Sequence, residues 1–133
     1  MSEDIKALAI RWMEDNWNRR RAEVIDELMA PDCTGRMEGL EITCCDDFRN
    51  ARKELLTAFP DLRVDVEQAV TEGDTVALRW RAKGSHGGDA FGLRSTGRGF
   101  EVVGSTWMKF ANGRIVWGQD TWNQGALMAQ LAA

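Results

Sequence analysis

The period of the apolar residues changes at Pro60, and that change limits the fold more than any other feature of the chain. Before it, Phe48, Ala51, Leu55 and Phe59 recur every three to four residues, the spacing that lines one face of a helix. After it, Leu62, Val64 and Val66 alternate with Arg63, Asp65 and Glu67, the period of a strand with one covered face. Pro60 parts the two regimes because proline cannot continue a helix and pushes the residue before it toward extended backbone. Helices first and strands after make an α+β domain, with helices packed on one face of a mainly antiparallel sheet.

The same reasoning extends to both ends. Ile5, Leu8, Ala9 and Trp12, with Met13 beside them, predict a first helix to about Trp17, capped by Ser2 ahead of Asp4. Val24, Ile25, Leu28 and Met29 predict a shorter second helix, halted by Ala30-Pro31-Asp32 and folded back on the first as a hairpin. From Cys33 to Cys45 there is no sustained period, which reads as irregular chain with one short strand near residues 34–37. Asp46 or Asp47 is placed to cap a third helix. Four strands are expected to close the protein: one from Leu62, one over residues 76–81 after the turn Glu72-Gly73-Asp74, one over 100–110, and one over 114–122 after Ala111-Asn112-Gly113. A strongly curved sheet of this kind encloses a pocket.

At 133 residues the chain reads as one domain, 1–133, around one core. A net charge of −4 argues against nucleic acid or acidic lipid as partner, since either needs a basic patch. The one basic run, Arg19-Arg20-Arg21, is followed by Glu23, Asp26 and Glu27 and reads as a locally neutralised helix end. No apolar stretch reaches a membrane span of about 20 residues, and Met1-Ser2-Glu3-Asp4 is acidic where a signal peptide is basic, so a cytoplasmic location is expected. Cys33, Cys44 and Cys45 are odd in number and are expected to be free, buried or half-buried thiols. With one histidine and no Cys-x-x-Cys, no metal site is expected.

Several short segments carry a resemblance. They are Trp17-Asn18, Ala30-Pro31-Asp32, Phe59-Pro60-Asp61-Leu62, Glu72-Gly73-Asp74-Thr75-Val76-Ala77, Gly84-Ser85-His86-Gly87-Gly88, Thr96-Gly97-Arg98, Asn112-Gly113-Arg114-Ile115 and Gln130-Leu131. In this order and spacing, over nearly the whole chain, the sequence resembles the SnoaL-like polyketide cyclases, within the superfamily of ketosteroid isomerase and nuclear transport factor 2. The resemblance implies a cone-shaped α+β barrel plugged by the N-terminal helices, with an internal pocket and frequent dimerisation through the outer sheet face. It also implies ring closure by intramolecular aldol condensation, with no metal or organic cofactor and an acidic residue moving the proton.

Asp120 is the leading candidate for that residue. The resemblance places an inward carboxylate on the last strand, and alternation sets Asp120 with Val116, Gly118 and Trp122 on the face opposite Ile115 and Trp117. A desolvated carboxylate there is expected to titrate high enough for acid/base work near neutral pH. His86, the one histidine, is the second catalytic candidate, set against a plain loop role in which it bonds backbone. Trp12, Met13, Trp80, Phe91, Thr106, Met108 and Trp122 are expected to wall the pocket, which suits a small apolar or aromatic molecule. Arg79 and Arg98 read as solvated strand arginines, and Asp61 as a turn residue that binds backbone amides. Gly104, Thr106 and Asn123 depart from the larger or acidic side chains of many relatives. The competing reading is a non-catalytic domain for ligand binding or assembly. An isomerase of the ketosteroid type wants tyrosine hydroxyls, of which the chain has none, and an epoxide hydrolase wants a second aspartate that residues 104–108 do not supply.

Overall fold

Asp4 opens the first helix. Its carboxylate accepts the Ala7 amide at 3.2 Å, so the N-cap is Asp4; Ser2 lies outside residues 4–89 and 94–132, which this computed structural model describes. α1 (Ile5–Met13) buries Ala9, Trp12 and Met13 and runs on into a π-helical turn, Glu14–Asn18. That wider turn carries Asp15, Asn16 and Trp17 into the interior. Asn18 then behaves as a piece of backbone: its side-chain amide accepts from Val64 N and donates to Val64 O, both at 2.8 Å, tying the helical layer to the sheet.

The basic run is absorbed by the fold. Arg20 donates to the carbonyls of Pro60 and Leu62 at 2.9 Å each, while Arg19 and Arg21 converge with Arg11 on the buried Asp15 carboxylate. Arg11 and Arg21 also pair with Glu27, so of the three acids expected to neutralise the run Glu27 alone pairs with it; Asp26 pairs with Arg49, and Asp15, which the sequence did not single out, is the centre.

α2 (Glu23–Leu28) ends one residue early, because Met29 already begins β1 (Met29–Met37). β2 (Leu40–Ile42) follows through a turn containing Gly39, and α3 (Cys45–Ala58) comes next. The expected irregular stretch is therefore two strands. Their period is hidden because β1 starts through Pro31 and its ladder is interrupted between Met29 and Thr34. Neither aspartate caps α3: the N-cap is Cys44, and Asp47 reaches back from the first turn to accept the Thr43 amide at 2.8 Å and hydroxyl at 2.6 Å. These bonds hold the Asp47 carboxyl below its usual range.

β3 (Arg63–Glu72), β4 (Thr75–Ser85), β5 (Gly99–Ala111) and β6 (Arg114–Trp122) form the antiparallel meander read from the sequence. The chain does not close on them. Asn123 Oδ1 accepts the Ala126 amide at 2.8 Å and starts α4 (Gln124–Ala132), which packs on β5 and buries Leu127 and Leu131. Asparagine at 123 is thus a helix cap, a role it fills as well as aspartate.

The strands make one mixed sheet in the order β2-β1-β6-β5-β4-β3, with β1 and β6 parallel and the other pairs antiparallel. It is a curled, open sheet with β2 and β3 as edges, not a closed barrel. α1 packs against β3 and β4, α3 against β1 and β2. Along β5, Phe100, Val102, Thr106, Met108 and Phe110 point to this covered face, while Val103 and Trp107 point out. In β6 a bulge at Val116 breaks the simple alternation: Phe110 pairs with Ile115, but Lys109 already pairs with Trp117. The extra residue puts Ile115 on the same inner face as Gly118, Asp120 and Trp122, correcting the parity expected from the sequence.

Candidate active site

Asp120 stands opposite Thr106 in the β5–β6 register, and the two side chains meet. Thr106 Oγ1 lies 2.5 Å from Asp120 Oδ1, and Trp80 Nε1 from β4 lies 2.8 Å from the same hydroxyl. An indole N–H only donates, so the threonine oxygen accepts from it and sends its own proton to the carboxylate. The row Trp80–Thr106–Asp120 therefore has one direction, and among the described residues Asp120 Oδ2 makes no hydrogen bond.

The glycine beside Thr106 makes the row possible. A Cβ at Gly104 would lie 2.5 Å from Cη2 and 2.6 Å from Cζ2 of the Trp80 ring, so only glycine lets the indole lie across β5 and reach Thr106. Gly104 and Thr106, read from the sequence as departures, are what orient the carboxylate.

Two adjoining cavities share Met37, Thr106 and Asp120. The first, about 60 Å³, is walled by side chains that include Met13, Trp17, Phe59, Trp80, Phe100 and Trp122; its walls are almost wholly apolar. The second, about 30 Å³, is bounded by Trp12, Cys33, Met108, Ile115 and Gln119 among others. Beyond Trp122, a mouth of about 230 Å³ opens between α3 and α4 and shares Met37, Leu55, Trp122 and Leu127 with the first cavity. Asp120 is half-buried by surface area, its residual exposure lying in a concavity where protein still replaces most water. Desolvation pushes its carboxyl up to about 6, against the partly opposing hydrogen bond from Thr106. Cys33, buried in the second cavity, is pushed up to about 11, first by desolvation and then by Asp32 and Cys45, and stays a thiol at neutral pH.

Of the residues expected in the wall, Trp12, Met13, Trp80, Thr106, Met108 and Trp122 all line one cavity or the other. Phe91 lies outside the described residues. His86 lines neither cavity: it is fully buried in the loop after β4, with Nδ1 3.1 Å from Thr96 Oγ1 and its ring 5.9 Å from that of Phe59. Asp120 and His86 are thus not brought together. Trp107 is 48% exposed on the outer face, and Trp117 stacks with Lys109, 5.9 Å from the ring centre. Asp61 binds the Ser85 amide at 2.8 Å and hydroxyl at 2.7 Å, the turn role expected of it. Arg79 is exposed beside Glu67, and Arg98 is exposed.

The sequence did not single out Trp17, Phe59 or Leu127 as wall residues. Trp17 is turned inward by the π-helical turn and Leu127 comes from α4, neither of which has a strong periodic signature. Among the described residues, no three His, Cys, Asp or Glu side chains come together as metal ligands do, and no helix is long and apolar enough to cross a membrane.

The fold recurs in known structures. A candidate SnoaL-like polyketide cyclase from Jannaschia sp. CCS1 superposes with a TM-score of 0.89 at 22% identity, covering 96% of this chain and 91% of its own. AclR, a candidate hydroxylase from Streptomyces galilaeus, gives 0.85 at 29% identity with 96% and 94% covered. IdmH, a candidate polyketide cyclase from Streptomyces antibioticus, gives 0.85 at 26% identity with 98% and 99% covered. No curated protein matches the chain. The sequence profile of the SnoaL-like polyketide cyclases matches residues 7–131, and the chain belongs to that family.

Proposed function

We propose that the cavity is the active site of a cofactor-independent enzyme of the cyclase or aldol type, with Asp120 as its general acid/base. The observation that carries this reading is the carboxylate itself: desolvated, aimed by Thr106 through one oxygen, with the other oxygen unbonded among the described residues in an apolar chamber. As a base, Asp120 takes a proton from a carbon next to a substrate carbonyl. The enolate carbon then bonds to a second carbonyl carbon of the same molecule, and the alkoxide formed there takes the proton back from Asp120. Proton and charge balance with no outside reagent. The apolar walls suit a small apolar or aromatic substrate, and Trp122, shared by the cavity and its mouth, is the side chain such a ring must pass or move.

The base must be ionised to act, so kcat/KM for an aldol-competent polyketide ester is expected to rise through about pH 6 and level off above it. Thr106→Val removes the hydrogen bond that favours the ionised form, so its rising limb should move to higher pH. A profile flat from pH 5 to 8, or one that Thr106→Val leaves in place, counts against Asp120 as the titrating base. A pocket that holds ligand equally well at every pH and turns none over would favour the non-catalytic binding domain.

The outer face of β5 and β6 exposes Val103, Trp107 and Val116, a surface we assign to a homodimer. Light scattering should give twice the chain mass for the native protein and a single mass for Trp107→Glu. A native monomer overturns the assignment.

A further inference from the structure

Away from Asp120, α3 presents its other face to a cleft of about 390 Å³ between α2 and α3, lined by Ala22, Ile25, Arg49, Arg52, Lys53 and Leu56 with Thr57. The cleft shares no residue with the two cavities or their mouth. All three of its charged side chains are cationic. Arg49 is engaged by Asp26 and Asp46, both exposed, but Arg52 and Lys53 make no ion pair among the described residues. Arg52 is the unusual member. Its Nε–H is shut off from water and, among the described residues, has no acceptor; the one hydrogen bond Arg52 makes there is a long one, 3.4 Å from the guanidinium to the Asn16 carbonyl. Asn16 beside it is fully buried, and among the described residues both its side-chain amide atoms are unpartnered, so three of the four orphaned buried side-chain polar atoms of those residues gather at this one junction.

Arg52 is half-buried, and a guanidinium N–H shut off from water without an acceptor is costly; native proteins seldom leave one. Desolvation, then the neighbouring Arg20 and Arg49, lower its hold on its proton, with Glu23 as the one opposing charge. The fork of an arginine matches the paired oxygens of a carboxylate or phosphate, and an adjacent lysine adds a second charge. Ile25, Leu56 and Ala22 supply an apolar floor next to these donors.

We propose that this cleft is a second binding site, for an oxyanion carried on an apolar body, held by Arg52 and Lys53 and resting on Ile25 and Leu56. It does not depend on the chemistry assigned to Asp120. Leu55, one residue from Leu56 on the same helix, lines the Asp120 cavity, so α3 stands between the two sites.

The Arg52 Nε–H signal in a ¹H–¹⁵N spectrum reports on the site directly. Phenyl phosphate and benzoate separate the phosphate from the carboxylate headgroup; inorganic phosphate lacks the apolar body, and sodium chloride matched in ionic strength controls for screening. A saturable shift of the Arg52 signal with phenyl phosphate or benzoate, at a Kd at least about tenfold below that of inorganic phosphate, is expected. Arg52→Gln and Lys53→Gln should each weaken it by about tenfold or more. Lys53 is exposed, so its variant tests the site even if Arg52→Gln is poorly folded. A shift reproduced by chloride, no saturation with either organic anion, or unchanged affinity in Lys53→Gln overturns the proposal.

Discussion

Under the acid/base role proposed for Asp120, its replacement by asparagine is expected to lower turnover of an aldol-competent substrate by roughly two to four orders of magnitude, the usual weight of a positioned acid/base, while making the folded protein more stable at pH 7. The two effects have one origin. The folded carboxyl titrates at about 6, above the ordinary 3.8, so as pH rises the unfolded chain gives up this proton first. Between about 3.8 and 6 the folded state holds more protons, and stability falls with rising pH across that window. Above it the ionised carboxylate costs the fold about 3 kcal/mol. Asparagine still accepts from Thr106 through its amide oxygen and carries no charge. Its gain should be full above about pH 6, shrink as pH falls through the window, and vanish below about 3.8. Urea unfolding of both proteins at pH 7.5 and pH 3.5 measures this. An Asn variant no more stable than the parent at pH 7.5 would show that the carboxylate is well solvated, and one with full turnover would remove it from the mechanism.

The second large effect belongs to a position with no chemistry. Gly35 pairs with Gly118 where β1 meets β6, and a Cβ at Gly35 would fall 1.8 Å from the Gly118 carbonyl oxygen. Both partners are backbone, so no side chain can swing aside. Gly35→Ala must push the two strands apart, and a loss above about 4 kcal/mol is expected, with a fall in Tm of more than about 10 °C. Gly39→Ala is the control: Gly39 is left-handed at φ 75°, but nothing lies within 4 Å of its added Cβ. That substitution meets only conformational strain, about 1 to 2 kcal/mol. Equal losses for the two variants would mean that the β1–β6 contact yields easily.

What was legible in the sequence follows the strength of local periodicity. α3 announces itself by its helical spacing and β4 and β5 by alternation between a covered and a solvated face over many residues, while β3 and β6 are marked by the turns beside them and by shorter runs of alternation. β1 and β2 did not, since one is interrupted and the other spans three residues, and their pairing is decided by contacts with β6 and with each other. α4 is short and rich in alanine, so its helical face is faint until the sheet it covers is known. Asp120 was legible as a position, through the resemblance, but its environment was not. Nothing in the local sequence says that Trp80 crosses the sheet over Gly104 to orient Thr106. The bulge at Val116 likewise depends on the hydrogen-bond register with β5, which no count along one strand reveals.

The parallel pairing of β1 with β6 also bears on how the chain reaches its native state. Met29 lies against Ile115 and Gly35 against Gly118, so the middle of the sheet is completed only when nearly the whole sequence is present. Closing so long a loop is entropically expensive, and such non-local contacts make folding slow. On a ribosome, the hairpin of β3 and β4 can pair early, but β1 must wait, its polar edge uncovered, until the last strand emerges. A polypeptide released before residue 114 therefore leaves β1 with β2 as its one strand neighbour, and it has no Asp120.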